Sequence, residues 1–209
     1  MNAQPAPSLA PVPTGNTFDK YGSSNPVVRR LVAGFGRSLD RLLSDAQPAS
    51  VLDVGCGEGV VTLRWAEVLG DGRVVGLDLA DPKLEAEWRR RARPNLSFVA
   101  GRGDQLPFAA GEFDLVAAIE TLEHIHQPEL TLAEMRRVAR SHLLVSVPRE
   151  PLWRVLNLAR GAYLGALGNT PGHLNHWSKR GFARLLSNYG EVIELRTPFP
   201  WTMALVRIG

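Results

Sequence analysis

The segment from Val51 to Gly59 constrains the fold of this chain more than any other part of the sequence. It reads Val-Leu-Asp-Val-Gly-Cys-Gly-Glu-Gly, a short apolar run that passes into three alternating glycines. The next residues, Val60 to Leu69, have the composition of a helix. A strand, a glycine turn and a helix in this order are typical of a doubly wound sheet, where glycine allows a tight turn and a close approach of ligand to backbone.

Apolar runs alternate with amphipathic segments along most of the chain, which predicts an α/β fold. The predicted strands are Val51–Gly55, Arg73–Asp78, Leu96–Ala100, Phe113–Ile119 and Leu143–Val147. The predicted helices are Asn25–Leu43, Val60–Leu69, Pro82–Arg93 and Pro128–Arg140. Helices between successive strands favour a parallel sheet with helices on both faces.

The two ends of the chain differ from this pattern. The last two apolar runs, Glu191–Thr197 and Thr202–Ile208, are split only by Pro198-Phe199-Pro200, which is too short for a crossover and predicts antiparallel neighbours. Residues 1–16 hold four prolines and no charge, which predicts a disordered tail with order beginning near Phe18. We therefore expect one domain over residues 17–209, with a helical insert at about residues 148–178.

Composition limits the cellular compartment and the classes of partner that we expect for this chain. The 209 residues carry a formal net charge of only +3, so the pI near 9.4 does not indicate a DNA-binding protein. The basic runs Trp88–Arg93 and Arg136–Arg140 fall on predicted outer helices, which favours solvated faces over an RNA-binding surface. A single cysteine, Cys56, excludes an internal disulfide. With no spanning apolar run and no signal-peptide pattern, we expect a cytoplasmic protein.

A carboxylate follows the glycine turn at the spacing of a nucleoside site. Asp78 ends the second predicted strand, where a doubly wound sheet places the acid that accepts from ribose hydroxyls. Val60 stands where a dinucleotide fingerprint requires its last glycine. This departure disfavours a nicotinamide dehydrogenase but not a nucleoside ligand.

With Gly103–Phe108 and Phe113–Val116, these motifs resemble the class I S-adenosylmethionine-dependent methyltransferases over Phe18 to Ile208. The resemblance implies a Rossmann-like, doubly wound seven-stranded sheet in the order 3-2-1-4-5-7-6, with strand 7 antiparallel. It also implies S-adenosylmethionine as cofactor and S-adenosylhomocysteine as product.

The resemblance further implies which residues bind the cofactor. The glycine backbone would face the methionine moiety, with Glu120 near it, and Asp78 would bind the ribose. Asp104 would accept from the adenine amino group, with Gln105 and Leu79 against the ring. Tyr21 resembles an N-terminal aromatic that closes over the cofactor, with ordinary packing as the alternative. The expected set is Tyr21, Asp53, Gly55, Gly57, Gly59, Asp78, Leu79, Asp104, Gln105 and Glu120.

The chemistry expected is methyl transfer to a small molecule at oxygen. Transfer from a sulfonium is a one-step in-line displacement, so alignment does much of the work and a hydroxyl acceptor must lose a proton. Histidine is suited to take that proton near neutral pH. His124 is the first candidate, with His173 and His176 as alternatives.

The spacing Glu120-x-x-Glu123-His124 also resembles two metal-dependent branches of the family. In the ubiquinone-pathway O-methyltransferases and the small-RNA 3′-end methyltransferases, such residues ligate a divalent cation. His173, four residues before Trp177, matches a further histidine of the RNA branch. Glu120, Glu123, His124 and His173 are therefore candidate ligands. Metal-free members carry a similar stretch that braces the loop, so both interpretations stay open.

The insert at residues 148–178 is unusually apolar, with a predicted helical stretch from Leu152 to Leu167 that Gly168 and Pro171 end. It could cap an acceptor pocket, or make peripheral membrane contact through residues 151–168 to reach a lipid-linked acceptor. It could equally pack on the sheet or on a second subunit of a homodimer. An RNA acceptor, and a non-catalytic module that only binds S-adenosylmethionine, are the remaining alternatives.

Overall fold

The computed structural model describes residues 24–209. The predictions for the tail at residues 1–16, for order near Phe18 and for Tyr21 lie outside these residues. Seven strands form the sheet: β1 Ser50–Val54, β2 Arg73–Asp78, β3 Leu96–Ala100, β4 Phe113–Ile119, β5 Ala139–Pro148, β6 Glu191–Arg196 and β7 Trp201–Arg207. Six α-helices accompany it: α1 Pro26–Ala46, α2 Val60–Leu69, α3 Pro82–Arg91, α4 Pro128–Val138, α5 Leu152–Ala159 and α6 Lys179–Leu186.

The sheet has the predicted strand order. The order is β3-β2-β1-β4-β5-β7-β6, with β1 to β5 parallel and β7 antiparallel to both of its neighbours. The predicted fold class is thereby confirmed. In this register Pro148, at the end of β5, pairs with Trp201, at the start of β7. The carboxyl ends of the parallel strands and the connection before β7 therefore lie along one edge of the sheet.

Helices cover both faces of the sheet, because buried strands alternate their side chains between two apolar layers. Leu52 and Val54 belong to one layer, which helices α4 and α6 complete. Val51 points into the other layer, where Phe35 and Trp65 from α1 and α2 pack. Helix α1 begins as predicted, since the Asn25 side chain accepts a hydrogen bond from the Val27 N–H at 2.9 Å.

The insert folds differently from its prediction. Helix α5 ends at Ala159, and only a 3-10 turn at Leu164–Ala166 follows. Gly161 has a φ of +72° and its N–H bonds to Leu158 O, which turns the chain out of the helix. The predicted helical stretch to Leu167 is therefore wrong in its second half. Within residues 24–209, no helix has the length and apolarity that crossing a bilayer requires.

Candidate functional site

The turn after β1 depends on its glycines. Gly55, Gly57 and Gly59 all have positive φ values. A Cβ added to Gly55 would lie 2.2 Å from Thr121 Cγ2, so no larger residue fits between the ends of β1 and β4. A Cβ added to Gly57 would meet nothing within 4 Å. The backbone at Gly57 therefore borders open space, as a turn that receives a ligand requires.

Asp78 is tied to this turn. Its Oδ2 accepts a hydrogen bond from the Gly57 N–H and its Oδ1 from the Leu79 N–H, both at 2.7 Å. Burial raises the pKa of Asp78, and these two bonds partly offset it. Each carboxylate oxygen has a second lone pair, so the group can also accept from ligand hydroxyls. Leu79 beside it is 41% exposed and offers an apolar surface.

The turn is braced from α3. Trp88 Nε1 donates to Gly57 O at 2.8 Å, and its ring stacks on Phe98 with centroids 5.5 Å apart. The indole thus fixes a carbonyl that the sheet itself does not bind. Nothing in the sequence pattern indicated this role for Trp88.

Asp53 is a buried acid at the end of β1. Only 2% of its surface is exposed, and Thr62 Oγ1 donates to its Oδ2 at 2.7 Å. Among residues 24–209, no hydrogen-bond donor reaches its Oδ1. Burial raises its pKa to about 7. A buried carboxyl with an unused acceptor is stabilised by a ligand that brings an N–H donor or a positive charge.

We expect Asp53→Asn to change how stability depends on pH. A carboxyl whose pKa rises from 3.8 unfolded to about 7 folded binds more protons when folded. It therefore costs stability increasingly as pH rises through that window, whereas asparagine does not titrate. The Tm of the ligand-free variant, relative to wild type, should rise between about pH 5 and pH 7 and level off above that range.

Asp114→Asn is the matched control for Asp53→Asn. Burial opposes ionisation of Asp114, but the Ser50 hydroxyl, the Ala49 N–H and Arg140 outweigh it and lower its pKa. Its titration is complete below that range, so its Tm difference from wild type should stay constant. A flat difference for Asp53→Asn as well would contradict the assignment.

The loop after β3 places Asp104 in an ion pair. Arg102 Nε donates to Asp104 Oδ1 at 2.9 Å and its Nη2 to Oδ2 at 2.5 Å. The Arg102 hydrogen bonds lower the pKa of Asp104, which keeps it an anionic acceptor. Gln105 is exposed beside it. A nucleobase bound at this loop would share the Asp104 carboxylate with Arg102.

The loop after β4 contacts the glycine turn. Thr121 Oγ1 donates to Gly55 O at 3.3 Å. The preceding residue, Glu120, has a φ of +57°, a strained value for a residue other than glycine. Ser146 Oγ donates to Glu120 Oε1 at 3.0 Å, which orients the carboxylate. Strands β4 and β5 thus jointly position Glu120.

Glu123, His124 and His173 form a cluster, in which one donor atom of each lies within 4.8 Å of the others. Glu123 is 1% exposed and His173 8% exposed. The two imidazole rings meet edge to face, with centroids 4.9 Å apart. Burial, then the nearby His124 and His176, lower the pKa of His173 to about 4, so its ring is neutral near pH 7.

The cluster joins two distant segments of the chain. The N–H groups of Leu174 and Asn175 both donate to Glu123 O, at 2.7 and 3.1 Å. His124 Nδ1 lies 3.0 Å from Gly172 O. The structure therefore brings together His124 and His173, two of the residues that the sequence analysis named as candidate ligands.

Two predicted residues are not members of the cluster. Glu120 does not belong to the group of donor atoms, and its carboxylate accepts from Ser146 instead. His176 is exposed, with Nε2 2.6 Å from Asn169 Oδ1. The insert borders the cluster through Trp153, whose indole lies 6.2 Å from the His173 ring and donates to Thr170 Oγ1 at 3.0 Å.

Comparison with known proteins identifies the family. Residues 52–144 match the model of a methyltransferase domain. Demethylmenaquinone methyltransferase of Renibacterium salmoninarum is 38% identical over 125 residues, 58% of this chain and 50% of the relative. Nocamycin O-methyltransferase of Saccharothrix syringae is 42% identical over 98 residues, 44% of this chain and 32% of the relative.

The same fold occurs in solved structures. Magnesium protoporphyrin IX methyltransferase from Synechocystis, crystallised with bound S-adenosylhomocysteine, superposes with a TM-score of 0.66 at 18% identity, over 90% of both chains. This likeness concerns the fold alone. The alignments with the two curated relatives span half and about a third of those proteins.

Proposed function

Because this chain belongs to the class I S-adenosylmethionine-dependent methyltransferases, we propose that it transfers a methyl group to a small-molecule acceptor, at oxygen, by in-line displacement. One observation carries the proposal: Asp78 is hydrogen-bonded to a glycine turn that borders open space. The unused buried acceptor on Asp53 fits the same ligand, whose methionine moiety carries positive charge. S-adenosylmethionine would supply the electrophilic methyl group.

The cofactor roles follow the positions of the side chains. Asp78 would accept from the ribose hydroxyls with the lone pairs that Gly57 and Leu79 leave free. The exposed Leu79 side chain would cover one face of the adenine. Asp104 would accept from its amino group, with Gln105 alongside. Glu120, oriented by Ser146, would lie near the methionine end.

His124 is the residue we assign as base. In the tautomer whose Nδ1–H donates to Gly172 O, Nε2 carries the lone pair, which is the form of imidazole that accepts a proton from a hydroxyl. His173 is buried and its pKa of about 4 makes it a weaker base. In His176, an Nε2–H that donates to Asn169 would leave Nδ1 to act. Both remain alternatives, and His173 would also restrict the orientation of the His124 ring.

Calorimetry with three ligands tests the proposal. We expect S-adenosylmethionine and S-adenosylhomocysteine to bind and NAD not to bind, because the turn lacks the final glycine of a dinucleotide site. Failure to bind either sulfur nucleoside would overturn the proposal. Binding of both without methyl transfer to any hydroxylated acceptor would favour a non-catalytic binding module.

The charge distribution supports a small molecule over RNA as acceptor. On α3, Arg90 and Arg91 both pair with Glu87. On α4, Arg137 pairs with Glu134 at 2.7 Å. These pairs neutralise part of each basic run, which reduces the field that an RNA backbone would meet.

A divalent cation held by the Glu123, His124 and His173 cluster is the alternative to a His124 base, because one Nε2 lone pair cannot both coordinate a cation and accept a proton. One carboxylate and two imidazoles suit Mn²⁺, Fe²⁺ or Zn²⁺ more than Mg²⁺. The neutral state of His173 suits a metal ligand, since only an unprotonated nitrogen can coordinate. A bound cation would polarise the acceptor hydroxyl. The role of Glu120 would then be cofactor contact rather than ligation.

Cation binding can be measured without an acceptor. We expect calorimetry to detect one Mn²⁺ site in the wild-type protein, and His173→Gln to weaken it by about tenfold or more through the loss of one ligand. His142→Gln is the control, because His142 lies near the start of β5, at the opposite end of the strand from Pro148. Equal Mn²⁺ binding in both variants, or none in the wild type, would exclude the site. Insensitivity of transfer to chelator would exclude a catalytic role for it.

A further inference from the structure

The insert exposes a group of large apolar side chains, which we name the leucine surface. It comprises Val155, Leu158, Leu164 and Leu167, which are 56%, 39%, 60% and 68% exposed. Single exposed apolar residues are ordinary, but four within thirteen positions of one short segment are not. The cofactor site uses none of them.

The backbone holds these side chains in one compact unit. Val155 and Leu158 are three residues apart on α5, and Leu164 and Leu167 are three apart across the 3-10 turn, where such positions eclipse one another. Arg154 Nε donates to Leu167 O at 3.2 Å and Ala162 N–H to Asn157 O at 2.8 Å, which folds the turn back onto the helix.

Leu167, one member of the leucine surface, has a backbone conformation that leucine disfavours. Leu167 has a φ of +49°, in the left-handed region that suits glycine. Its side chain gains little from burial, since it is 68% exposed. The stability of the fold therefore gives no reason for a leucine at this position. This indicates that the Leu167 side chain contacts another molecule.

Charge identifies the kind of partner. Residues 151–178 of the insert contain no aspartate or glutamate, whereas they contain Arg154 and Arg160. A second copy of the chain would bring a surface of the same sign against this one. An anionic surface with an apolar interior complements both features, and a lipid bilayer has these properties.

We propose that the leucine surface inserts into the headgroup region of anionic phospholipid bilayers, with Arg154 and Arg160 meeting lipid phosphates. Trp153 and Asn157 lie on the same helix and bond to Thr170 and Gly168, toward the histidine cluster. The bilayer and the cluster therefore contact opposite sides of the insert. The proposal goes beyond methyl transfer and does not depend on which acceptor is used.

Vesicle co-sedimentation of the full chain tests the proposal. We expect binding to vesicles of phosphatidylcholine with phosphatidylglycerol, little binding to phosphatidylcholine alone, and weakening by salt. Leu164→Ser with Leu167→Gly should lower the partition coefficient about tenfold, since both leucyl chains would leave the bilayer. Arg160→Gln should lower it about fivefold, the value of one cation near an anionic surface.

Matched controls separate the surface from general hydrophobicity and charge. Val68→Ser with Leu130→Ser removes two side chains of similar exposure, 60% and 48%, from α2 and α4. Arg136→Gln removes an exposed cation from α4. Both should bind vesicles like the wild type. The leucine variant should keep its Tm and its affinity for S-adenosylhomocysteine, because Leu167→Gly relieves backbone strain.

Three outcomes would overturn the proposal. The first is wild-type binding that does not distinguish anionic from neutral vesicles. The second is an equal loss of binding in the leucine variant and in the Val68 and Leu130 control. The third is that the wild type does not bind vesicles but sediments as a dimer, and that the leucine variant sediments as a monomer. This result would assign the surface to contact with a second copy of the chain. If S-adenosylhomocysteine fails to bind but vesicles bind as expected, only the proposed function fails.

Discussion

Asp78→Ala is expected to weaken binding of S-adenosylhomocysteine by roughly a hundredfold, because hydrogen bonds from two ribose hydroxyls to a charged acceptor each contribute about 1.5 kcal/mol. The side chain also loses its bonds to the Gly57 and Leu79 N–H groups. The turn then lacks the contact that orders it before the cofactor arrives. Titration calorimetry of the variant and the wild type measures the effect.

Asp81→Ala is the control for that measurement. Asp81 lies three residues along the chain and caps α3 by accepting from the Lys83 N–H at 2.7 Å. Its loss should cost about 1 kcal/mol of folding stability and leave cofactor affinity unchanged. If the affinity of Asp78→Ala for S-adenosylhomocysteine is within twofold of the wild-type affinity, the assignment of Asp78 to the ribose site is wrong. Asp78→Asn, which keeps one acceptor oxygen, should fall between the two.

The parallel strands were predictable from the sequence. Three of them, Arg73–Asp78, Leu96–Ala100 and Phe113–Ile119, have the bounds that the apolar runs predict. Strands buried on both faces leave continuous apolar runs between amphipathic helices, so their limits are visible in composition. The proline-bounded ending similarly determined that β6 and β7 are antiparallel.

The end of α5 was not predictable in this way. Leu156, Tyr163 and Leu167 continue a helical spacing past Ala159, so periodicity alone favours a longer helix. Tertiary bonds decide otherwise: the Asn157 side chain donates to Gly168 O at 2.8 Å and to Thr170 Oγ1 at 3.1 Å. These contacts hold the chain after α5 against the helix, and no local sequence pattern predicts them.

The candidate site likewise has a part that the sequence predicts and a part that it does not. Asp78 and the glycines were recognisable because their chemistry depends on residues close in sequence and on strand ends. The partners of the site come from elsewhere: Ser146, which orients Glu120, lies 26 positions away, and Trp88 lies 31 positions from Gly57. Only the fold brings them together.

Gly55→Ala is expected to destabilise the fold by about 3 kcal/mol or more. The new methyl group would lie 2.2 Å from Thr121 Cγ2 and 2.5 Å from Thr121 Oγ1, and alanine disfavours the φ of +75°. Strands β1 and β4 are central to the sheet, so neither loop can retreat without disturbing a paired strand. Urea denaturation at equilibrium measures the free energy of unfolding.

Gly57→Ala separates backbone strain from steric conflict. Its φ is +55°, but the added Cβ meets nothing within 4 Å, so the cost should be near 1 kcal/mol, that of the left-handed conformation alone. Thr121→Ala in the Gly55→Ala background removes Cγ2 and Oγ1 and should restore part of the lost stability, a coupling visible only if these groups collide. Additive effects of the two substitutions would place the strain elsewhere. A restored fold that still fails to bind S-adenosylhomocysteine would show that the cofactor needs the glycine backbone itself, beyond its clearance from Thr121.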